Sequence, residues 1–192
     1  MVLTIDTPHT LLDLLWIRQA WGLQPRGGDL PPALTVTPEP VGAAARAAAP
    51  LARWSAGWPE VWAACLNHAG TQQDDDLVSR LHRTALSTEE RHALFLQLRG
   101  PSWRDRFGSE AYADSRREWE NSEVDQQRRA SRDVERSLLD AVIPAWQAAL
   151  TKIVEIPCRG TFTRRIGAHA LLVTADTRAD EKRYRQALSL FR

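Results

Sequence analysis

The chain has 192 residues, of which 43% are hydrophobic and 26% charged, and its formal net charge is +1. This composition is typical of a folded domain and excludes an intrinsically disordered chain. The near-neutral charge excludes a polycation that binds nucleic acid or acidic lipid over its whole surface.

Two cysteines are too few for a disulfide framework, which favours a reducing compartment. No segment approaches the roughly 20 consecutive apolar residues that a membrane span requires. Met1 to Ile5 lacks the basic start of a signal peptide, and Asp6 and Asp13 interrupt the apolar run that follows. We therefore expect a soluble cytoplasmic protein with no membrane association.

The first predicted element is an apolar helix within residues 1–22. Thr7-Pro8 is a typical helix start, and Gly22 ends the pattern after Trp21. Apolar residues fall on more than one side of this helix, so it must be buried. Residues 23–42 are rich in proline and glycine and predict an extended linker, with a short edge strand at Leu34–Thr37.

Residues 43–150 form a predicted helical domain. Trp54, Trp58 and Trp62 are four residues apart, which places three indoles on one stripe of a helix. Pro59 predicts a kink in that stripe and a new helix from Glu60 to Ala69.

Local signals divide the rest of the helical domain. Ser87-Thr88-Glu89-Glu90 is a capping box and predicts a helix start, whereas Gly100–Gly108 is predicted as a loop. Ser122 and Asp125 match the same capping pattern and predict a break in the helix that starts near Ser109. Apolar spacing returns over 138–150 and predicts a helix that packs on a sheet.

Residues 151–192 change character. Three short runs predict strands, at Lys152–Pro157, Thr161–Ile166 and His169–Thr174, and the apolar run in the third indicates a central strand. Thr177–Asp180 then predicts the start of a final helix. The predicted fold class is α+β, mainly α: a helical body with a C-terminal three-stranded antiparallel meander and a closing helix.

No motif for phosphate binding, dinucleotide binding, zinc proteolysis or a nucleophilic serine is present. Cys65, His68, Cys158 and His169 have no spacing typical of a zinc site, and Asp74–Asp76 are more typical of a helix start than of a magnesium site. We therefore expect no catalytic residues, no metal and no cofactor. An enzyme whose site is assembled from scattered residues stays an alternative, because one sequence does not show such a site.

Tryptophan, with 8 residues, outnumbers phenylalanine with 4 and tyrosine with 2. Tryptophan is enriched where a surface is buried against a partner. With the apolar helix on its linker, this surplus favours a non-enzymatic interaction or structural subunit, or adaptor, of a larger assembly. Its partner is another protein or a second copy of the chain. The predicted partner-binding residues are the apolar anchors of the two tryptophan-bearing helices: Leu11, Leu15, Trp16, Trp21, Trp54, Trp58 and Trp62.

The alternative is a nucleic-acid-binding protein that uses its basic C-terminal region. Residues 151–192 carry nine lysines and arginines against four acids, whereas the rest of the chain is net acidic. The cations predicted to bind phosphates are Arg159, Arg164, Arg165, Lys182 and Arg183.

Overall fold

The computed structural model describes residues 2–71, 77, 80–81, 86–113, 115–130 and 134–191. The predicted acidic helix start at Asp74–Asp76 lies outside the described residues. Helices dominate the described chain, with these bounds: α1 His9–Ala20, α2 Ala43–Ala48, α3 Leu51–Ala69, α4 Thr88–Arg99, α5 Trp103–Phe107, α6 Ser115–Ala130, α7 Val134–Ser137, α8 Leu139–Gln147, α9 Ala175–Ala179 and α10 Glu181–Leu188. The α+β, mainly helical class is confirmed.

Four strands form one mixed sheet: β1 Thr4–Asp6, β2 Lys152–Ile156, β3 Thr163–Ile166 and β4 Ala170–Thr174. Their order is β1-β2-β4-β3, with β2 parallel to β1 and β4, and with β3 antiparallel to β4. The predicted antiparallel meander is therefore wrong, although the central position of β4 is confirmed. β4 is buried along its whole length, so it needs a strand on each side. The β3–β4 hairpin turns at Gly167 and leaves β3 at the edge.

The strand β1 was not predicted from the sequence. Its three residues carry too short a pattern to be distinguished from the approach to a helix. The backbone N–H of Thr4 donates to the Thr151 carbonyl at 2.9 Å, and β1 then continues parallel to β2.

Helices cover both faces of the sheet, because successive side chains of a strand point to opposite faces. Val154 and Leu172 belong to a core shared with α1 and α3. Ile153, Leu171 and Val173 belong to a second core shared with α8 and α10. The prediction that the helix within 138–150 packs on the sheet is confirmed.

The helix α3 is continuous through Pro59, so the predicted new start at Glu60 does not occur. A proline inside a helix removes one backbone hydrogen bond. Burial of the three indoles of this helix offsets that loss, since Trp54, Trp58 and Trp62 are all less than 4% exposed.

The capping box at Ser87 is confirmed, with Ser87 and Glu90 exchanging hydrogen bonds of 3.2 and 2.9 Å. The predicted break at Ser122 is wrong, because α6 continues through it. The predicted loop at 100–108 contains the short helix α5, whose start is capped by Ser102 and Asp105.

Residues 23–42 contain no helix, as the prolines predict, and several of them pack on the core that includes α1 and α3. Leu34 is fully buried and forms a single bridge with Cys158 in place of the predicted edge strand. The Arg18 guanidinium donates to the carbonyls of Pro31 and Pro32. The domain boundaries at 22, 42 and 150 stay a prediction.

Candidate functional site

The structure places all seven predicted partner-binding residues inside this chain's own core. None is more than 5% exposed, and all belong to the core that includes α1 and α3. A single copy of the chain is therefore enough to bury the apolar helix and these tryptophans. As folded, these side chains offer no surface to another molecule.

The indoles achieve this burial by packing on one another. Trp54 lies edge-to-face with Trp21 and with Trp103, at centroid distances of 5.0 and 5.7 Å, and Trp58 stacks on Trp62 at 5.2 Å. The Trp58 indole N–H donates to the Leu14 carbonyl at 2.8 Å and so ties α3 to α1. The tryptophan surplus therefore serves the core.

The five cations predicted to bind nucleic acid come from different elements of the fold, and the two on β3 point to opposite faces of the sheet. Arg164 pairs in register with Leu172 and Arg165 with Leu171, and these leucines belong to opposite cores. Arg159 donates to the Thr35 carbonyl at 3.0 Å, and the Arg165 guanidinium lies 4.3 Å from the centre of the Phe191 ring. Lys182 and Arg183 lie on α10, so the structure does not gather the five into one basic patch.

Another cation of the basic tail, Arg178, is buried and neutralised internally. Its guanidinium donates to Glu135 at 2.7 Å and to Glu155 at 3.0 Å, and the Tyr184 hydroxyl also donates to Glu135 at 2.7 Å. These contacts join β2, α7, α9 and α10. The tail therefore offers less positive charge to a ligand than its sequence indicates.

The environment of this cluster favours the ionised pair. Burial opposes the charge of Glu135, but hydrogen bonds from Arg178 and Tyr184 outweigh it and lower the pKa of that carboxyl. Burial likewise opposes the charge of Arg178, and its two carboxylate partners raise its pKa. Burial and the nearby Glu135 raise the pKa of Tyr184, which keeps its hydroxyl protonated as a donor.

Polar side chains also line a groove of about 520 Å³ beneath the amino ends of β1, β2 and β4. Lys152 and Asp6 form an ion pair of 3.0 Å there, and His169 donates through Nδ1 to the Ala149 carbonyl. Cys158 does not line this groove, since it is fully buried elsewhere.

Burial raises the pKa of the Cys65 thiol to about 12, which leaves it protonated and unreactive. In the part of the chain that the structure describes, no three His, Cys, Asp or Glu side chains are grouped to hold a metal ion.

One apolar feature that reaches solvent is a flank on α8, formed by Leu139, Ile143 and Trp146. These side chains are 42%, 41% and 36% exposed, and their spacing aligns them along one side of the helix. The sheet-facing residues Leu138, Val142 and Ala145 are buried. The helix α8 therefore has a second apolar surface beyond the one that packs on the sheet.

The apolar spacing over 138–150 predicts that the helix packs on a sheet, but it does not separate this flank from the packed side. The signal that distinguishes the flank is an excess of apolar residues. A nine-residue helix on the surface of a sheet needs only one apolar side. Here apolar residues occupy two sides.

Comparison with protein-family models, with curated proteins and with solved structures finds no match for this chain. Among the described helices, none combines the length and the apolar character needed to cross a membrane.

Proposed function

We propose that this protein is a non-catalytic interaction or structural subunit of a larger assembly and that the flank of α8 is its docking surface. The observation that carries the proposal is the alignment of three exposed, large apolar side chains, Leu139, Ile143 and Trp146, on a helix that is otherwise anchored in the core. An exposed apolar cluster of this kind on a rigid element is typical of a protein contact.

The anchoring of α8 supports the same proposal. Glu135, just before the helix, binds Arg178, and Asp140 on the helix binds Arg185 of α10 at 2.5 Å. A docking surface on a fixed helix loses little conformational entropy when a partner binds. Cys65 and Cys158 are both buried and form no disulfide, which fits a cytoplasmic location, and that location is part of the proposal.

Site-specific photo-crosslinking in cells that naturally make the protein tests this function. We expect a photoreactive phenylalanine analogue at Ile143 to give one discrete adduct of higher mass, because a partner covers that side chain. The substitution Leu139→Asp should suppress the adduct, since it places a charge on the docking surface.

The matched control is the same analogue at Phe95, which is 54% exposed on a different helix, α4. We expect no discrete adduct from that position. Equal yields at the two positions, or no adduct from position 143, would contradict the proposed function.

A further inference from the structure

The outer edge of β1 is open among the described residues, where β2 is its only strand neighbour. Thr4 directs its backbone towards β2, so the next residue, Ile5, directs its N–H and carbonyl away from the sheet. The Ile5 side chain is 42% exposed and that of Val2 is 77% exposed. An unpaired backbone beside apolar side chains is the chemistry that recognises another strand.

The opposite edge of the sheet is protected against such pairing. Its strand β3 carries Arg164 and Arg165, both exposed, and charged side chains on an edge strand disfavour strand addition. At the β1 edge, Val2 to Ile5 have no charged side chain, and the carboxylate of Asp6 is paired with Lys152 of β2 at 3.0 Å. The two edges therefore differ, and β1 is the one open to a partner.

Contacts of β3, α8 and α10 indicate that the flank of α8 points towards this edge, away from α10. Arg165 of β3 contacts Phe191, so α10 and the chain end that follows it cover the β3 side of the sheet. Leu3 packs into the core beneath α8, and α8 leads into β2, which neighbours β1. On α8, Ile143 lies about 100° around the helix from the buried Val142. Ala141 and Ala148, on the other side, pack into the core shared with α10.

We infer that a second copy of this chain covers both the open edge of β1 and the apolar flank of α8. In this arrangement β1 pairs antiparallel to β1 of the other copy across a two-fold axis. The inference rests on the proposed function and names its partner. In such a pair Ile5 meets Ile5 of the second copy, and the two residues exchange both backbone hydrogen bonds. The same rotation keeps the α8 helices on one side of the joined sheet and brings their apolar flanks together. A single two-fold rotation thus covers both the unpaired edge of β1 and the exposed flank of α8.

Light scattering on the purified full chain, over a series of concentrations, tests this inference. We expect a mass near twice the 21.6 kDa of one chain at high concentration. Dilution should produce the monomer, because an interface of one short strand and one helical flank is small. A monomer at every concentration up to about 1 mM would overturn the inference.

Two variants test the two halves of the interface independently. Ile5→Lys adds an edge charge, and Ile143→Glu adds a charge to the flank of α8; each should raise the dissociation constant at least about tenfold. The matched control Leu190→Glu, at an exposed apolar residue whose carbonyl accepts from Arg165 of the opposite edge strand β3, should leave it unchanged. Circular dichroism checks that each variant is folded. A dimer that both folded variants leave intact, or that Leu190→Glu disrupts equally, would overturn the proposed geometry.

The crosslinking experiment separates this inference from the function on which it rests. An adduct from position 143 with twice the mass of the chain supports both proposals. A discrete adduct of another mass supports the subunit function and overturns the second copy as the occupant.

Discussion

Replacing Arg178 with methionine is expected to destabilise the folded protein by about 3–5 kcal/mol. The side chain is 8% exposed and binds Glu135 and Glu155, which come from different elements. Without the guanidinium, two carboxylates in a poorly hydrated place lose the cation that they share. Urea unfolding followed by circular dichroism measures the loss.

Arg183→Met is the matched control, because that arginine is about half exposed and lies 3.9 Å from Asp180. An exposed pair of this kind contributes little, so we expect a change within about 0.5 kcal/mol. Adding Glu135→Gln to Arg178→Met should restore part of the loss by removing one buried charge. Equal stability of the Arg178 and Arg183 variants would show that the buried cluster does not hold these elements together.

Replacing Trp58 with alanine is expected to cost about 3–5 kcal/mol, the range for deleting a large aromatic side chain from a core. Trp58 is fully buried, stacks on Trp62, and donates a hydrogen bond to the Leu14 carbonyl. The variant therefore leaves a cavity between α3 and α1 and an acceptor without its donor. Thermal and urea unfolding both measure the effect.

Trp58→Phe keeps a ring in the site but removes the indole donor, so its loss should be smaller than that of Trp58→Ala. Phe95→Ala, at a side chain that is 54% exposed, should cost about 1 kcal/mol or less. If Trp58→Ala were as mild as Phe95→Ala, the tryptophan cluster would not be the centre of the core.

Local patterns predicted much of the secondary structure, because they depend on neighbouring residues. The capping box at Ser87, the apolar helix that ends before Gly22, and three C-terminal strands all follow from such signals. The order of the strands depends on pairing across the chain, which no local pattern contains. The parallel pairing of Thr4–Asp6 with Lys152–Val154 joins residues almost 150 positions apart.

The site was harder to predict because sequence does not show which molecule covers an apolar side chain. Trp16 and Trp58 have the composition of an interface, yet α1 and α3 bury them against each other. Ile143 and Trp146 have the composition of a core, yet they face solvent. Burial is decided by how the helices are arranged around the sheet.

The distribution of charge shows the same limitation. The tail is basic in sequence, but its cations separate once the chain folds, since Arg178 is buried and Arg164 and Arg165 face opposite sides. Counting charges predicted a basic region, whereas the alternation of side chains along β3 divides it. The apolar flank of α8 became visible only after the helix was placed on its sheet.

Backbone hydrogen exchange, measured by mass spectrometry, tests most directly whether the edge of β1 and the flank of α8 form one covered surface. The dilute chain is compared with the assembled form, which is the concentrated chain or the chain with its crosslinked partner. We predict slower exchange on assembly in peptides that cover residues 2–6 and 139–147, and unchanged exchange at 159–165 and 181–186. Protection at the basic residues instead, or no difference between the two states at β1 and α8, would contradict the account.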